Sequence, residues 1–336
     1  MKESINLTSG HPRAGVSSMQ NTSPPRPRSG IWKHRPFAIQ KIEQLVKLVR
    51  ESHAVPLEGE SRPVRLVEPD QLGATFIGHS SFLLQIGGKN ILVDPVFSTR
   101  LVVLRRQRRP GVEIASLPPI DLVLLTHAHM DHLDKASLRA VVRMTRRRLG
   151  YAPGGAPAVV VPRGVEDLVA TMGFRSVHGL RWWESIDLEG LTVTMTPCKH
   201  WGARMLRDSH RGYGGYVIAG SGHSVYHSGD TAYFPGFTEI GQRLHPYLAL
   251  LPIGAYFPDT YRTVHTSPEE AVRGFVECGA QYMVPMHFGT FRLGREPMHE
   301  PLERLRAEVR RLGIEDRTRV LGEGETLILS RDGRIE

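Results

Sequence analysis

The run Thr126-His-Ala-His-Met-Asp-His132 sets four metal-ligand side chains within six positions, directly after the apolar stretch Asp121–Leu125. A short apolar run of that kind reads as a buried strand. Downstream, Asp134 stands at the N-cap position of a helix pattern over Ala136–Met144. The ligand types therefore occupy a loop between a strand end and a helix start. In a tight loop, residues two apart can point the same way, so His127 and His129 can grip one cation. Asp131 and His132 then face a second position. Imidazole nitrogen suits zinc and other first-row metals, and a carboxylate can bridge two cations. A lone histidine is usually a packing or surface residue; four ligand types in one such loop are a metal-site motif.

Strand and helix patterns alternate through the chain. Strands are predicted at Ala74–Ile86, Asn90–Val93, Asp121–Leu125, Ala158–Val161 and Leu191–Thr196, then at Tyr216–Ala219, Ser224–His227, Leu248–Leu251, Tyr282–Pro285 and Thr326–Leu329. Ser267-Pro-Glu-Glu270 is a capping box with proline at the first helical position. Pro301–Leu312 ends at Gly313, a favourable left-handed helix terminus. With 336 residues and 40% hydrophobic content, the chain can bury a large core as one α/β domain.

Three further ligand-type residues sit in similar strand-end contexts: His200 in Thr196-Pro-Cys-Lys-His-Trp-Gly-Ala-Arg204, Asp230 in His227-Ser-Gly-Asp-Thr-Ala-Tyr233, and His287 in Val284-Pro-Met-His-Phe-Gly-Thr-Phe291. With these, the chain resembles the metallo-β-lactamase superfamily. That likeness implies a four-layer αβ/βα sandwich and a dinuclear centre held by His127, His129, Asp131, His132, His200, Asp230 and His287. His200 would complete the first metal, Asp230 would bridge, and His287 would complete the second. Cys198 is expected to be a buried strand thiol rather than a ligand. Cys278 is expected near a helix end.

A narrower resemblance is to the branch containing N-acyl phosphatidylethanolamine-hydrolysing phospholipase D. It rests on Phe76–Leu84, Ile91–Ser98, Leu117–His132, Pro197–Arg204, Leu251–Tyr256 and His265–Val272. The branch implies a phosphodiesterase in which a metal-bridging hydroxide attacks phosphorus, giving a phosphatidic acid and an N-acylethanolamine. Asp131 and His265 are the candidate catalytic residues, with His265 a general acid or phosphate contact. His79 and Asp94 are candidates for orienting the ligands. After Tyr256 the chain departs from the branch pattern, and Phe257-Pro-Asp-Thr-Tyr-Arg262 is a candidate substrate-facing loop. Zinc leads as the resident metal, and manganese and iron also suit mixed imidazole and carboxylate ligands. The other readings are a lactonase or amide hydrolase, a nuclease, and a metal-bearing sensor protein.

The formal charge of +9 is concentrated in part at the N-terminus. Residues 1–30 read as a disordered Ser-, Pro- and Arg-bearing tail, and residues 31–336 as the hydrolase domain. That domain opens with a helical extension over 31–63, whose amphipathic helix begins Ile31–Val49. The tail and this helix predict weak, salt-sensitive contact with anionic membranes. Arg105–Arg109 and Arg146–Arg148 are each expected to be a solvated loop or helix end, the other reading being attraction to anionic lipid or phosphate near the surface. No aromatic-basic platform for nucleic acid is present. Two cysteines cannot build a disulfide framework, and no apolar run is long enough to span a bilayer, so a cytoplasmic enzyme is expected, peripheral to a membrane at most. A homo-oligomer is compatible with the same reading.

Overall fold

The computed structural model describes residues 37–205, 208–331 and 334–336. The chain divides into two compact units, Met1–Lys41 and Ile42–Glu336. Of the first, only residues 37–41 are described, and they are helical; the predicted tail lies outside the described residues.

Among the described residues, fifteen strands and five α-helices follow in order. Helix α1 (Phe37–Ala54) precedes β1 (Leu72–Gly78), β2 (Ser81–Ile86), β3 (Lys89–Val93), β4 (Arg100–Leu101), β5 (Leu104–Arg105) and β6 (Leu122–Leu124). Then come α2 (Lys135–Arg148), β7 (Ala158–Pro162), β8 (Ser176–Leu180), β9 (Ser185–Leu188), β10 (Leu191–Thr196), β11 (Gly215–Gly220) and β12 (His223–His227). The chain closes with α3 (Gly236–Leu244), β13 (Leu248–Pro252), α4 (Pro268–Cys278), β14 (Tyr282–Met286), α5 (Glu300–Leu312) and β15 (Thr326–Leu329).

One sheet runs β15-β1-β2-β3-β6-β7-β8 and the other β14-β13-β12-β11-β10-β9. Side chains alternate across each strand, so every sheet has two faces to bury. Phe76, Leu84 and Val93 of the first sheet meet Val193, Tyr216 and Leu250 of the second in the central core. The outer face of the first sheet is covered by Leu138, Val141 and Met144 of α2. Helices α3, α4 and α5 cover the second sheet through Phe237, Phe275 and Leu305. The result is the predicted four-layer αβ/βα sandwich.

Pairing direction explains where chemistry can collect. In the first sheet β3 runs parallel to β6, and β1 shares their direction because both neighbour β2 antiparallel. In the second, β12 and β14 each run parallel to β13, and β10 shares their direction through antiparallel β11. The carboxyl ends of each set therefore open on one rim.

Local signals hold where their hydrogen bonds are local. Asp134 caps α2 by accepting from the Ala136 amide at 3.1 Å. The Ser267 hydroxyl accepts from the Glu270 amide at 3.3 Å while the Glu270 carboxylate accepts from the Ser267 amide at 2.9 Å. Gly279 and Gly313 end α4 and α5 with φ of +68° and +66°, conformations glycine adopts without a Cβ penalty.

Other expectations need correction. The strand predicted over Ala74–Ile86 is a hairpin, because Gly78 and His79 take φ of +122° and +60° and turn the chain between β1 and β2. Strand β8 and the β4–β5 hairpin had no alternating apolar pattern to announce them, and β9 has one of only four residues, Ser185-Ile-Asp-Leu188. Past Ala54 the predicted helical extension runs extended, tied to the domain by Glu58 N–H to Gln107 O at 2.9 Å and Arg109 N–H to Glu58 O at 2.7 Å. Arg106 is not solvated: it is fully buried, and its guanidinium donates to the carbonyls of Val96 at 2.8 Å and Arg108 at 2.7 Å. Burial pushes its pKa down to about 10, which leaves it charged at neutral pH. Cys198 is buried in the loop after β10 rather than in a strand.

Candidate metal centre

Every predicted site residue lies at that rim. His79 follows β1, Asp94 follows β3, and His127, His129, Asp131 and His132 follow β6. His200 follows β10, Asp230 follows β12, His287 follows β14, and His265 precedes α4.

Three imidazoles converge in a first pocket. His127 Nε2 lies 2.8 Å and His200 Nε2 3.2 Å from His129 Nδ1. Behind them, His200 Nδ1 is 2.9 Å from the Val264 carbonyl, which can only accept; this places the proton on Nδ1 and frees Nε2 as a lone pair. His127 Nδ1 is 2.9 Å from the Thr126 hydroxyl.

A second pocket gathers around Asp131. Its Oδ2 lies 3.1 Å from His79 Nε2, 3.6 Å from His287 Nε2 and 3.7 Å from His132 Nε2. Asp230 stands between the pockets: its Oδ2 is 3.0 Å from His287 Nε2, 3.2 Å from His132 Nε2 and 3.9 Å from His200 Nε2. Asp94 is fully buried, accepts from His132 Nδ1 at 2.6 Å, and accepts twice more from the amide and hydroxyl of Thr126. It faces a histidine ring nitrogen and is not among the clustered ligand atoms. His79 sits closer than expected, since its ring is within ligand-cluster distance of Asp131, His132 and His287.

Three of these residues carry backbone strain. His79, Asp94 and His287 have φ of +60°, +43° and +60°, a region that residues with a Cβ rarely occupy. The His287 amide donates to the His79 carbonyl at 2.8 Å, so two of the strained turns hold each other. Such conformations persist where surrounding structure over-determines them, and they cluster at functional sites.

The electrostatics of the pockets differ. Burial holds His127 and His200 well below the ordinary histidine value, and also lowers His129. Burial opposes the charged forms of Asp131 and Asp230 as well, but His132 and His287, joined at Asp131 by His79, overcome it and hold both carboxyls well below the usual range. Burial likewise works against protonation of His132 and His287, yet Asp230 and Asp131 outweigh it; His132 is raised well above the ordinary value and His287 to about 9. Burial takes His79 down to about 3 and His265 to about 4, so both are neutral at pH 7.

The donor set fits divalent cations. His132 Nε2, His287 Nε2 and Asp230 Oδ1 are buried without a hydrogen-bond partner among the described residues, and such orphans are costly unless another group satisfies them. Ligand-capable atoms of His127, His129 and His200 lie within 4.8 Å of one another, as do those of His79, Asp131, His132 and His287.

Several supporting residues were not anticipated. Arg204 donates at 2.9 Å to the carbonyls of both Ala128 and Leu133, clamping the ligand loop from behind. Thr290 accepts from the His79 amide at 2.8 Å. Trp201 is 44% exposed and packs its ring 4.3 Å from His200 and 4.5 Å from His129, forming a wall of the centre. Position in the sequence signals none of these contacts, apart from the quoted stretches around His200 and His287.

Comparison with known proteins agrees with the geometry. The family described as the Beta-lactamase superfamily domain matches residues 89–288. An uncharacterized protein of Mycobacterium tuberculosis is 37% identical over 76% of this chain and 68% of its own length. The N-acyl-phosphatidylethanolamine-hydrolyzing phospholipase D 1 of Caenorhabditis elegans is 30% identical over 70% of this chain and 69% of that protein. The solved structure of a metallo hydrolase from Ignicoccus hospitalis aligns with a TM-score of 0.58 at 25% identity, over 77% of this chain and 99% of that one. The chain belongs to the metallo-β-lactamase superfamily, as a metal-dependent hydrolase.

Proposed function

We propose that the protein is a phosphoric diester hydrolase of the N-acyl phosphatidylethanolamine phospholipase D type, working with two divalent cations. The observation that carries the reading is Asp230, whose Oδ2 reaches histidines of both pockets. His127, His129 and His200 would hold one ion; Asp131, His132 and His287 would hold the other, with Asp230 shared. Nitrogen-rich ligands of this kind favour zinc, with manganese and iron as the alternatives to be measured. The chemistry that such a pair supplies when bound is acidification of water, to a pKa of about 7, and neutralisation of charge on substrate oxygens.

The chain's own residues position the rest. Asp94 holds the His132 ring through Nδ1, so that Nε2 faces the centre. His265 rests 5.3 Å from the His287 ring and 5.1 Å from the His200 ring. Because it is neutral at pH 7, it fits hydrogen-bond donation to a phosphoryl oxygen better than proton delivery to a leaving alkoxide. Trp201 supplies an apolar plane beside the first pocket, suited to the hydrocarbon part of a substrate.

The Caenorhabditis elegans relative supports the phospholipid substrate class. The test is turnover of N-acyl phosphatidylethanolamine, a bis-aryl phosphodiester, a lactone and a single-stranded nucleic acid, with metal analysis of the same preparation. Diester cleavage with two ions per chain is expected. Lactone turnover without diester cleavage would reassign the reaction to carbonyl carbon, and one ion per chain in an active sample would end the two-cation reading.

A further inference from the structure

The short hairpin β4–β5 is built against the ordinary rules of its own fold. Leu101 pairs with Leu104, and the two residues between them are Val102 and Val103. Two-residue hairpin loops favour glycine, asparagine or aspartate, which tolerate positive φ. Here Val102 takes φ of +52°. A β-branched residue in that region is a conformational outlier. It is also 71% exposed, and Val103 is 45% exposed. Directly across the hairpin, Arg100 faces Arg105, and like charges in that register repel. Neither arginine has an ion pair among the described residues, whereas Arg62, Arg65, Arg211, Arg262 and Arg304 each do.

In water this arrangement has three costs: strain at Val102, two bare valines and an unrelieved cation pair. The base of the hairpin is nevertheless firmly seated. Leu101 and Leu104 pack with Val96, Phe291 and Leu293, and the Phe291 ring meets His79 edge-on at 5.3 Å. The tip therefore projects from a base one side chain away from the second metal pocket. An observed outlier of this kind is grounds for a functional hypothesis.

We infer that the β4–β5 hairpin is a membrane anchor, which buries Val102 and Val103 below the headgroups of an anionic bilayer while Arg100 and Arg105 contact lipid phosphates. Two of the three liabilities then become contacts. The bare valines leave water, and the two cations share anionic partners instead of facing only each other. The site is a different one from the N-terminal tail and stands independently of the proposed activity, because it concerns adsorption to lipid whether or not that lipid is cleaved.

The test uses the full chain and vesicles of phosphatidylglycerol mixed with phosphatidylcholine, with pure phosphatidylcholine as the uncharged arm. Wild type should sediment with the anionic vesicles, and less so at high salt. Val102→Asp should weaken that partitioning at least about tenfold, the scale of one buried valine. Arg100→Glu should weaken it about fivefold or more, the scale of one cation at an anionic surface. Val102→Gly separates binding from folding: relief of the positive φ should leave the melting temperature equal or higher while binding falls. Metal content and turnover of a water-soluble diester should be unchanged in all three. Undiminished vesicle binding by Val102→Asp and Val102→Gly would overturn the proposal. So would a wild-type dimer that Val102→Asp dissolves, which would assign the tip to a second copy of the chain.

Discussion

The two pockets of the centre share histidine as a building block but are prepared in opposite ways. The first is three imidazoles whose charged forms burial disfavours, so they stand neutral with lone pairs converging. The second places carboxylates against histidines, and those histidines hold protons: His287 is raised to about 9 by Asp230 and Asp131 against the opposing effect of burial. A cation entering the first pocket meets free donors. In the second it must displace protons that already neutralise the carboxylates. Affinity in the second pocket should therefore depend on pH far more than in the first.

The residue common to both pockets gives the hardest test. Asp230→Asn should reduce activity by more than about 10²-fold, beyond the 10–100-fold typical of losing only an outer partner, and should lower metal stoichiometry. Retention of two ions and near-normal turnover would break the shared-ligand view.

Acidification comes next in size. Below the raised value of His287 the proton competes with the cation, so binding in the second pocket should tighten as pH rises towards 9 and weaken as it falls. The first pocket, whose histidines are lowered, should retain its ion to more acid pH. Metal content after dialysis across a pH series should show one ion leaving before the other, and calorimetry in buffers of different ionisation enthalpy should show proton release on the later binding event. Simultaneous loss of both ions would remove the distinction.

A milder change should touch one pocket alone. Asp94→Asn removes the carboxylate behind His132, and second-pocket affinity should fall about 10- to 100-fold while the first pocket is unaltered. Equal weakening of both would mean that Asp94 supports the ligand loop through Thr126 rather than through His132.

The smallest effect is expected at Arg204, which holds the loop through Ala128 and Leu133. Arg204→Met should cost about 1–3 kcal/mol in unfolding free energy, the scale of leaving buried carbonyls unsatisfied. First-pocket affinity should shift less than tenfold. A fully destroyed metal site would show that the clamp determines the geometry rather than steadying it.

How much was legible in advance follows from the range of each interaction. Asp134 and Ser267 cap helices through bonds to residues two and three positions away, so their roles could be read directly. The Thr126–His132 loop could be read for the same reason, as its four ligand types lie within six positions. Arg106 could not: its place in an arginine run suggested solvation, but its partners Val96 and Ile77 come from elsewhere in the chain. No helix among the described residues is long and apolar enough to cross a bilayer, and the exposed hairpin tip at Val102 and Val103 has no periodic pattern by which the sequence could announce it.

The sequence by itself determined the alternation of strands and helices and the ligand loop at Thr126–His132, because periodicity, caps and ligand spacing are properties of neighbouring residues. The sandwich and the remaining ligand positions came from the resemblance to the metallo-β-lactamase superfamily. Only the tertiary structure decided how those residues divide into a neutral pocket and a proton-holding one. That division depends on which carboxylates are buried against which imidazoles, and the contacts between Asp230, His132, His200 and His287 join strands of both sheets. Charge interactions and desolvation act through space across those joins, and they are set only when the parallel strand ends meet at one rim.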